Sequence, residues 1–395
     1  MARVVAYASV REFVPLYGLY ALLFEDHGLD AAAISSLFVL WSVVAFVAEV
    51  PSGAWADTVS RRGLLMGSGV LFTAGFTTWL VWPTYWGFAL GFVLWGVSES
   101  MKSGTFEALV YDELAARGEE HRYAAVMGYA NAGETTCVLL AILTAAPLFD
   151  LGGYALVGWV SVAITVVGIA LVGTLPAAPK AEATDEIDGH GDTVLARYMS
   201  SLRTGASEIR TDRAVRRSVV LAAALLACLA FDEYFGLLAR ESGAGTGFVP
   251  VLVALTAAGQ VVGAATAGRT ASMSGRTMGA LVVFGSILIA GGALVGGIAG
   301  FTAIGVGYGA LHNTAIVAEA RLQDTMSGRA RATVSSVVGL ASEVLSVAVF
   351  AGYALGSVWL PMSVLVAVTV LPVVCLGLVA PRLLPPVPAG RASGT

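Results

Sequence analysis

Long apolar runs alternate with short polar breaks along the whole chain. Bounded by Gly, Pro or charge, they fall near 4–24, 32–53, 63–82, 86–110, 123–147, 153–175, 217–239, 246–268, 278–297, 301–320, 333–354 and 360–381. Each approaches the roughly 20 residues that a helix needs to cross a hydrocarbon core about 30 Å thick. The runs are too long and too evenly apolar for the alternating strands of a barrel, and backbone groups in lipid must be satisfied within the segment, so helices remain. The pattern predicts an all-α polytopic membrane protein of twelve transmembrane helices. The weakest division lies between the ninth and tenth runs, where Gly296, Gly297 and Gly300 must turn the chain with almost no polar residue. An eleven-span count stays open there.

Composition agrees with the pattern. Of 395 residues, 57% are apolar and 12% charged, against roughly 45–50% and about 25% in soluble domains. Disordered, fibrous and ordinary soluble chains are excluded. A net charge of -5 offers no basic face for nucleic acid. Cys137, Cys228 and Cys375 fall inside predicted spans and read as small apolar residues, not as a disulfide framework or metal site. The first apolar run lacks a small-residue cleavage site and is expected to stay in the product.

Loop charges give an orientation. Arg3, Arg61, Arg62, Arg117, Arg122, Lys180, Arg197, Arg203, Arg210, Arg213, Arg216, Arg217, Arg269, Arg276, Arg321, Arg329, Arg331, Arg382 and Arg391 fall on one side of twelve alternating spans, and Arg240 on the other. That other side carries Glu25, Asp26, Asp30, Asp150 and Glu241. By the positive-inside rule both termini are expected in the cytoplasm of an inner-membrane protein. The expected domains are a six-helix bundle over 1–175, a linker over 176–216, a second six-helix bundle over 217–382 and a cytoplasmic tail over 383–395. Within the linker, Val194, Leu195, Tyr198, Met199, Leu202, Ala206 and Ile209 recur at helical spacing beside Arg197, Arg203, Arg210 and Arg213. This predicts an amphipathic helix lying on the membrane surface or packed on the protein's own loops.

Ionisable groups inside spans cost several kcal/mol each and ask for a partner, a watery cavity or a function. Spans three, six, nine and twelve hold none. Arg11 and Glu12 lie in the first, Glu49 in the second, Glu99, Lys102 and Glu107 in the fourth and Glu134 in the fifth. Asp232 and Glu233 lie in the seventh, His312 and Glu319 in the tenth and Glu343 in the eleventh. Three-helix units whose third helix faces lipid would give this pattern, in line with the repeat logic of secondary transporters.

The loop from Glu49 to Arg62 resembles the signature loop of the major facilitator superfamily: Gly53, Asp57, Arg61 and Arg62 agree, while Thr58 and Ser60 replace the usual basic residue and glycine. The resemblance implies two pseudo-symmetric six-helix bundles that rock to give alternating access, with this loop locking the outward-facing state. The corresponding loop after span eight, Gly268 to Arg276, lacks the aspartate. The arginine of a familiar fourth-span motif is replaced by Phe92, and Glu134 stands where a fifth-span antiporter motif has proline. The stretch Ser103 to Asp112 looks like uncharacterised bacterial exporters of the superfamily.

Candidate chemistry follows from spacing. Glu99 and Lys102 can pair on one helical face. Arg11 and Glu12, being adjacent, should point apart, so Arg11 is expected to pair across helices with Glu99 or Glu134. Glu107 is placed with Glu49 and Asp57 to form gating bridges to Arg61 or Arg62. Glu99, Glu134, Asp232, Glu233 and Glu343 are the candidate proton carriers, because neighbouring or isolated carboxylates in low dielectric favour the protonated form. Asn131 is the expected partner of Glu134. Arg11, Glu12, Tyr17, Lys102, Asn131, His312 and Asn313 are candidate cavity residues. Tyr7, Phe13, Tyr20, Trp41, Trp95, Tyr129 and Tyr308 could line the same cavity or simply pack helices.

No phosphate-binding Gly-x-x-x-x-Gly-Lys-Ser/Thr loop occurs in the sequence, so an ion or substrate gradient is the expected energy source. The reading is a secondary transporter, not an enzyme, acting by proton-coupled export of a small amphipathic molecule. A metabolite importer or facilitator, by symport or uniport, is the alternative, with an anionic substrate as one option given Arg11 and Lys102. Expected partners are the substrate, the proton and the bilayer. No nucleic acid, cofactor or metal is expected, and the chain is expected to act as a monomer.

Overall fold

The computed structural model describes residues 1–175, 212–326 and 328–385, with side chains described except at 49–58 and 328–333. The amphipathic segment expected over 194–209 and the tail beyond residue 385 lie outside the described residues. Every regular element among the described residues is a helix, and packing divides the chain into two compact units. One comprises Met1–Leu29 and Leu37–Tyr198, the other Asp30–Ser36 and Met199–Thr395.

In the first unit the leading span is not one helix. Helix α1 covers Ala2–Arg11, a 3-10 turn covers Pro15–Gly18 and α2 covers Tyr20–Asp26. Pro15 has no N–H to donate and fixes its own φ, so the α-ladder stops before it and restarts beyond it. Helix α3 (Ala31–Thr58), which belongs to this unit from Leu37 onward, and α4 (Arg61–Val81) are the second and third spans, and α5 (Tyr85–Lys102) with α6 (Thr105–Ala115) make the fourth. The fourth is interrupted at Gly104, whose φ of +70° favours glycine. Helix α7 runs from Tyr123 to Val172 and holds two crossings, parted by non-helical Gly152 and Gly153.

In the second unit the leading span is broken too. Helix α8 (Arg213–Ala227) passes through a 3-10 stretch, Cys228–Tyr234, into α9 (Phe235–Glu241). Then come α10 (Val249–Thr270), α11 (Gly275–Val295), α12 (Gly297–Asp324), α13 (Gly328–Gly356) and α14 (Met362–Leu383). Gly296 and Gly297 adopt φ of +66° and +59° between α11 and α12, which separates the ninth and tenth spans. Eight described stretches are long and apolar enough to cross a membrane, the interrupted Arg213–Glu241 and the merged Glu120–Val172 among them. The second crossing of α7, the composite first and fourth spans and the more polar α12 bring the architecture to the twelve-helix arrangement.

Caps set several helix starts: Ser60, Thr84, Asp212 and Ser274 accept from backbone N–H groups of the first turns of α4, α5, α8 and α11. Packing differs between the units. The first is aromatic, with Tyr20, Phe24, Phe38, Phe72, Phe76, Trp79, Phe88, Phe92 and Trp95 in mutual ring contact. The second is closed by glycine. On α10, Gly259 and Gly263 lie against Gly305 and Gly309 of α12, and a methyl group on any of the four would collide with backbone of the facing helix. Gly285 meets Gly307, Gly292 meets Gly300 and Gly279 meets Gly377 in the same way. Such spacing lets backbones approach where lipid supplies no hydrophobic drive.

Candidate functional site

Helix α1 ends at Arg11, and Glu12, its C-cap, leaves the helix with φ −90° and ψ 1°. Adjacent residues on a continuous helix diverge, but here the chain turns between them, and Arg11 Nη1 donates to Glu12 Oε1 at 2.9 Å. This corrects the expectation that the two point apart. Arg11 also crosses to α5 as expected, its Nη2 donating to Glu99 Oε1 at 2.9 Å and to Ser98 Oγ at 3.3 Å. Its guanidinium carbon sits 4.7 Å from the centre of the Phe72 ring.

Lys102 does not pair with Glu99. It ends α5 beside the Gly104 break, and its Nζ lies 3.3 Å from both Glu12 Oε1 and Glu134 Oε1. Asn131 is exposed, so Lys102 and not Asn131 holds Glu134. Tyr17 Oη donates to Glu12 Oε2 at 3.2 Å, and Trp95 Nε1 to Glu99 Oε1 at 3.1 Å. The Tyr17 and Trp95 rings stack 5.6 Å apart. Behind them Ser98 and Ser68 clasp, each hydroxyl donating to the other's carbonyl oxygen at 2.8 and 2.9 Å.

The result is one network of two cations and three carboxylates drawn from the first, fourth and fifth spans. Its depth is graded. Arg11 is 3% exposed and Lys102 16%, whereas the Glu134 and Glu99 side chains are 23% and 33% exposed.

The second unit places its acids at the corresponding break. Asp232 and Glu233 lie in the 3-10 stretch of span seven. Tyr308 Oη, on α12, stands 2.8 Å from Asp232 Oδ2 and 3.0 Å from the Leu229 carbonyl oxygen. Glu233 has no hydrogen-bond or ion partner among the described residues. His312, one helical turn beyond Tyr308, is half-buried, and its Nδ1 is buried with no partner among the described residues. Asn313 is a staple between helices: its amide donates to Gly263 O and Thr266 Oγ1 of α10, and its carbonyl accepts from Thr270 Oγ1. Glu343 is half-buried on α13, and Glu319 is exposed.

At the loop after span two, the side chains of Glu49 and Asp57 lie outside the described residues, as does any contact at Gly53. Arg61 bridges to Asp112 of α6, Nε to Oδ2 at 2.8 Å, and not to Glu107. Among the described residues Glu107 Oε2 is buried with no partner and Arg62 makes no ion pair. In the second unit Arg321 of α12 occupies the analogous level. It is 3% exposed and donates to the carbonyl oxygens of Ala271, Met273 and Pro385 at 2.8–3.1 Å. The aromatic candidates divide: Tyr7, Tyr20, Trp95 and Tyr308 are buried, Tyr17 and Trp41 half-buried and Tyr129 69% exposed.

Sequence reading missed Asp112, Arg321, Ser68 and Ser98. Asp112 and Arg321 look like span-end charges, and serines in apolar helices carry no distinctive spacing. Pro15 was the available signal for the break that turns Glu12 onto Arg11.

A family model described as Major Facilitator Superfamily matches residues 3–351. The chain belongs to the Major Facilitator Superfamily. No curated protein matches it. Among solved structures, it is similar to the nucleoside transporter NupG with TM-score 0.72 and 12% identity, over 97% of this chain and 98% of that one. An auto-inhibited POT family peptide transporter gives TM-score 0.73 at 13% identity, over 100% and 98% of the chains. A bacterial homologue of the iron transporter ferroportin, inward-facing, gives 0.68 at 13%, over 96% of each. At such identities these show a shared fold. A superfamily member with this fold is a multi-pass membrane transporter of the secondary kind.

Proposed function

We propose that this transporter exports a small amphipathic molecule in exchange for protons, and that the Arg11–Glu12–Glu99–Lys102–Glu134 network is the coupling site. One observation carries the reading: three carboxylates from three membrane spans share two cations. With every group ionised, one negative charge is left uncompensated in a low dielectric, an arrangement that costs several kcal/mol. One added proton brings the network to neutrality. Glu134 is its carrier, because its single ion partner among the described residues is Lys102 at 3.3 Å while Glu12 holds two cations and Glu99 is held by Arg11, at 2.9 Å, and by Trp95.

Interrupted helices at matching positions of the two halves are where transporters of this kind place substrate and coupling-ion groups. Spans one and seven are both interrupted. Arg11 and Lys102 are held by carboxylates, which disfavours the anion-uptake alternative. The outward direction rests on the likeness of the Ser103 to Asp112 stretch to bacterial exporters.

The test begins with an accumulation screen of chemically diverse compounds in bacteria stripped of their own efflux pumps, to find a substrate. Proteoliposomes then report proton movement when that substrate is added. Proton release into the bath opposite to substrate movement is expected, with Glu134→Gln abolishing gradient-driven transport and sparing exchange measured at saturating substrate. Transport in the variant with the wild-type pH dependence would remove Glu134 as carrier.

A further inference from the structure

The exposure gradient across the network says what can approach it. Arg11 lies deepest at 3% exposed, with Lys102 and Glu12 next at 16% and 17%, and Arg11 Nε, which has no hydrogen-bond partner among the described residues, is itself buried. A ligand arriving from the accessible side meets Glu99 and Glu134 first. Both Oε1 atoms already accept from cations behind them, and Glu134 Oε2 makes no hydrogen bond among the described residues. Beside these carboxylates stand half-buried ring systems, Tyr17 stacked on Trp95, and Trp41 with its ring centre 4.9 Å from that of Trp95. Negative charge next to ring faces is the recognition chemistry of a cation with an apolar body. An anion would face repulsion from the outer acids before reaching either basic group.

We infer that the substrate is a lipophilic monovalent organic cation, its charge received at Glu99 and Glu134 and its body against Tyr17 and Trp41. Binding of one cation releases one proton, so the network stays neutral in both states. The inference deepens the proposed coupling site and rests on it. It also separates the two halves of the cycle: the site holds either the proton or the cation, which is the requirement for exchange.

The probe set is tetraphenylphosphonium, its neutral relative triphenylphosphine oxide and the anion tetraphenylborate, measured by equilibrium dialysis on the purified full chain between pH 6 and 8. The phosphonium is expected to bind, tightening up to about tenfold per pH unit where the competing proton is lost, and tetraphenylborate is expected not to bind. Glu134→Gln and Glu99→Gln should weaken phosphonium binding at least tenfold and flatten the pH dependence. Lys102→Met should strengthen it, since it unmasks Glu12 and Glu134. Misfolding would weaken binding in all three variants, so the opposite sign in Lys102→Met distinguishes a charge effect from damage. Preference for tetraphenylborate, absence of phosphonium binding at pH 8, or equal weakening by all three substitutions would overturn the inference. If protons still move with a neutral or anionic substrate in proteoliposomes, the coupling reading stands and the cation assignment alone falls.

Discussion

Arg11 and Glu99, 88 positions apart in the chain, lie 2.9 Å from each other and tie the first span of the transporter to its fourth. The guanidinium is buried and shared with Glu12, so its worth is largely the cost of leaving carboxylates without it. Arg11→Gln is expected to lower stability by about 3–5 kcal/mol, read as a fall in the thermal midpoint of the detergent-solubilised protein. The double variant Arg11→Gln/Glu99→Gln should recover part of that loss, because it removes an orphaned charge along with the cation. A double variant no better than the single one would mean that the pair is not coupled.

Arg61 and Asp112 give a second expectation. Their 2.8 Å bridge joins the start of α4 to α6 at the level of the signature loop. Asp57→Asn and Asp112→Asn are each expected to slow transport more than tenfold while changing substrate binding less than about threefold, as interactions formed in one conformational state do. Side-by-side transport and binding measurements decide it, and a parallel loss of both would discard the gating role of this edge.

Much of this was legible beforehand. Span positions followed from apolar runs, because lipid forces every backbone group into a local ladder, and the ninth-to-tenth division rested on glycines that do turn the chain. The ionisable candidates at Arg11, Glu12, Glu99, Lys102 and Glu134 were legible as charges in the wrong solvent. Their pairing was not. Helical spacing assigned Glu99 to Lys102 and set Arg11 apart from Glu12, and both errors arise where the helix stops, at Glu12 and at Gly104. Spacing rules hold only while the helix does. Span eight shows the same limit: α10 holds no ionisable residue before Arg269, so charge content alone does not mark every third helix.

Arg321 provides a third test. Three carbonyl oxygens from two separate segments converge on one planar donor, a geometry that lysine's compact ammonium does not reproduce. Arg321→Lys is therefore expected to destabilise almost as much as Arg321→Met, by roughly 2–4 kcal/mol. Full rescue by lysine in a thermal melt would show that charge alone suffices.

The glycine contacts yield a fourth. Gly259→Ala and Gly305→Ala should each cut the yield of folded protein severalfold, judged by monodisperse recovery on size exclusion, because added methyl groups meet backbone and not a flexible side chain. Gly128→Ala and Gly291→Ala, with nothing within 4 Å of the added carbon, should recover like the parent chain. Equal yields across the four would refute the seam.

That seam has a bearing on how the transporter's functional map will look. In a saturation mutagenesis experiment scored by growth, positions 259, 263, 305 and 309 would stand out as intolerant to nearly every replacement, at the four-residue rhythm of a substrate-lining stripe. They hold no side chain that could touch a ligand. Glu134 would give the contrasting profile, forgiving of replacement in a count of folded molecules and unforgiving in a count of molecules that pump. Scoring abundance and activity separately would therefore sort mechanical joints from chemistry across the whole chain.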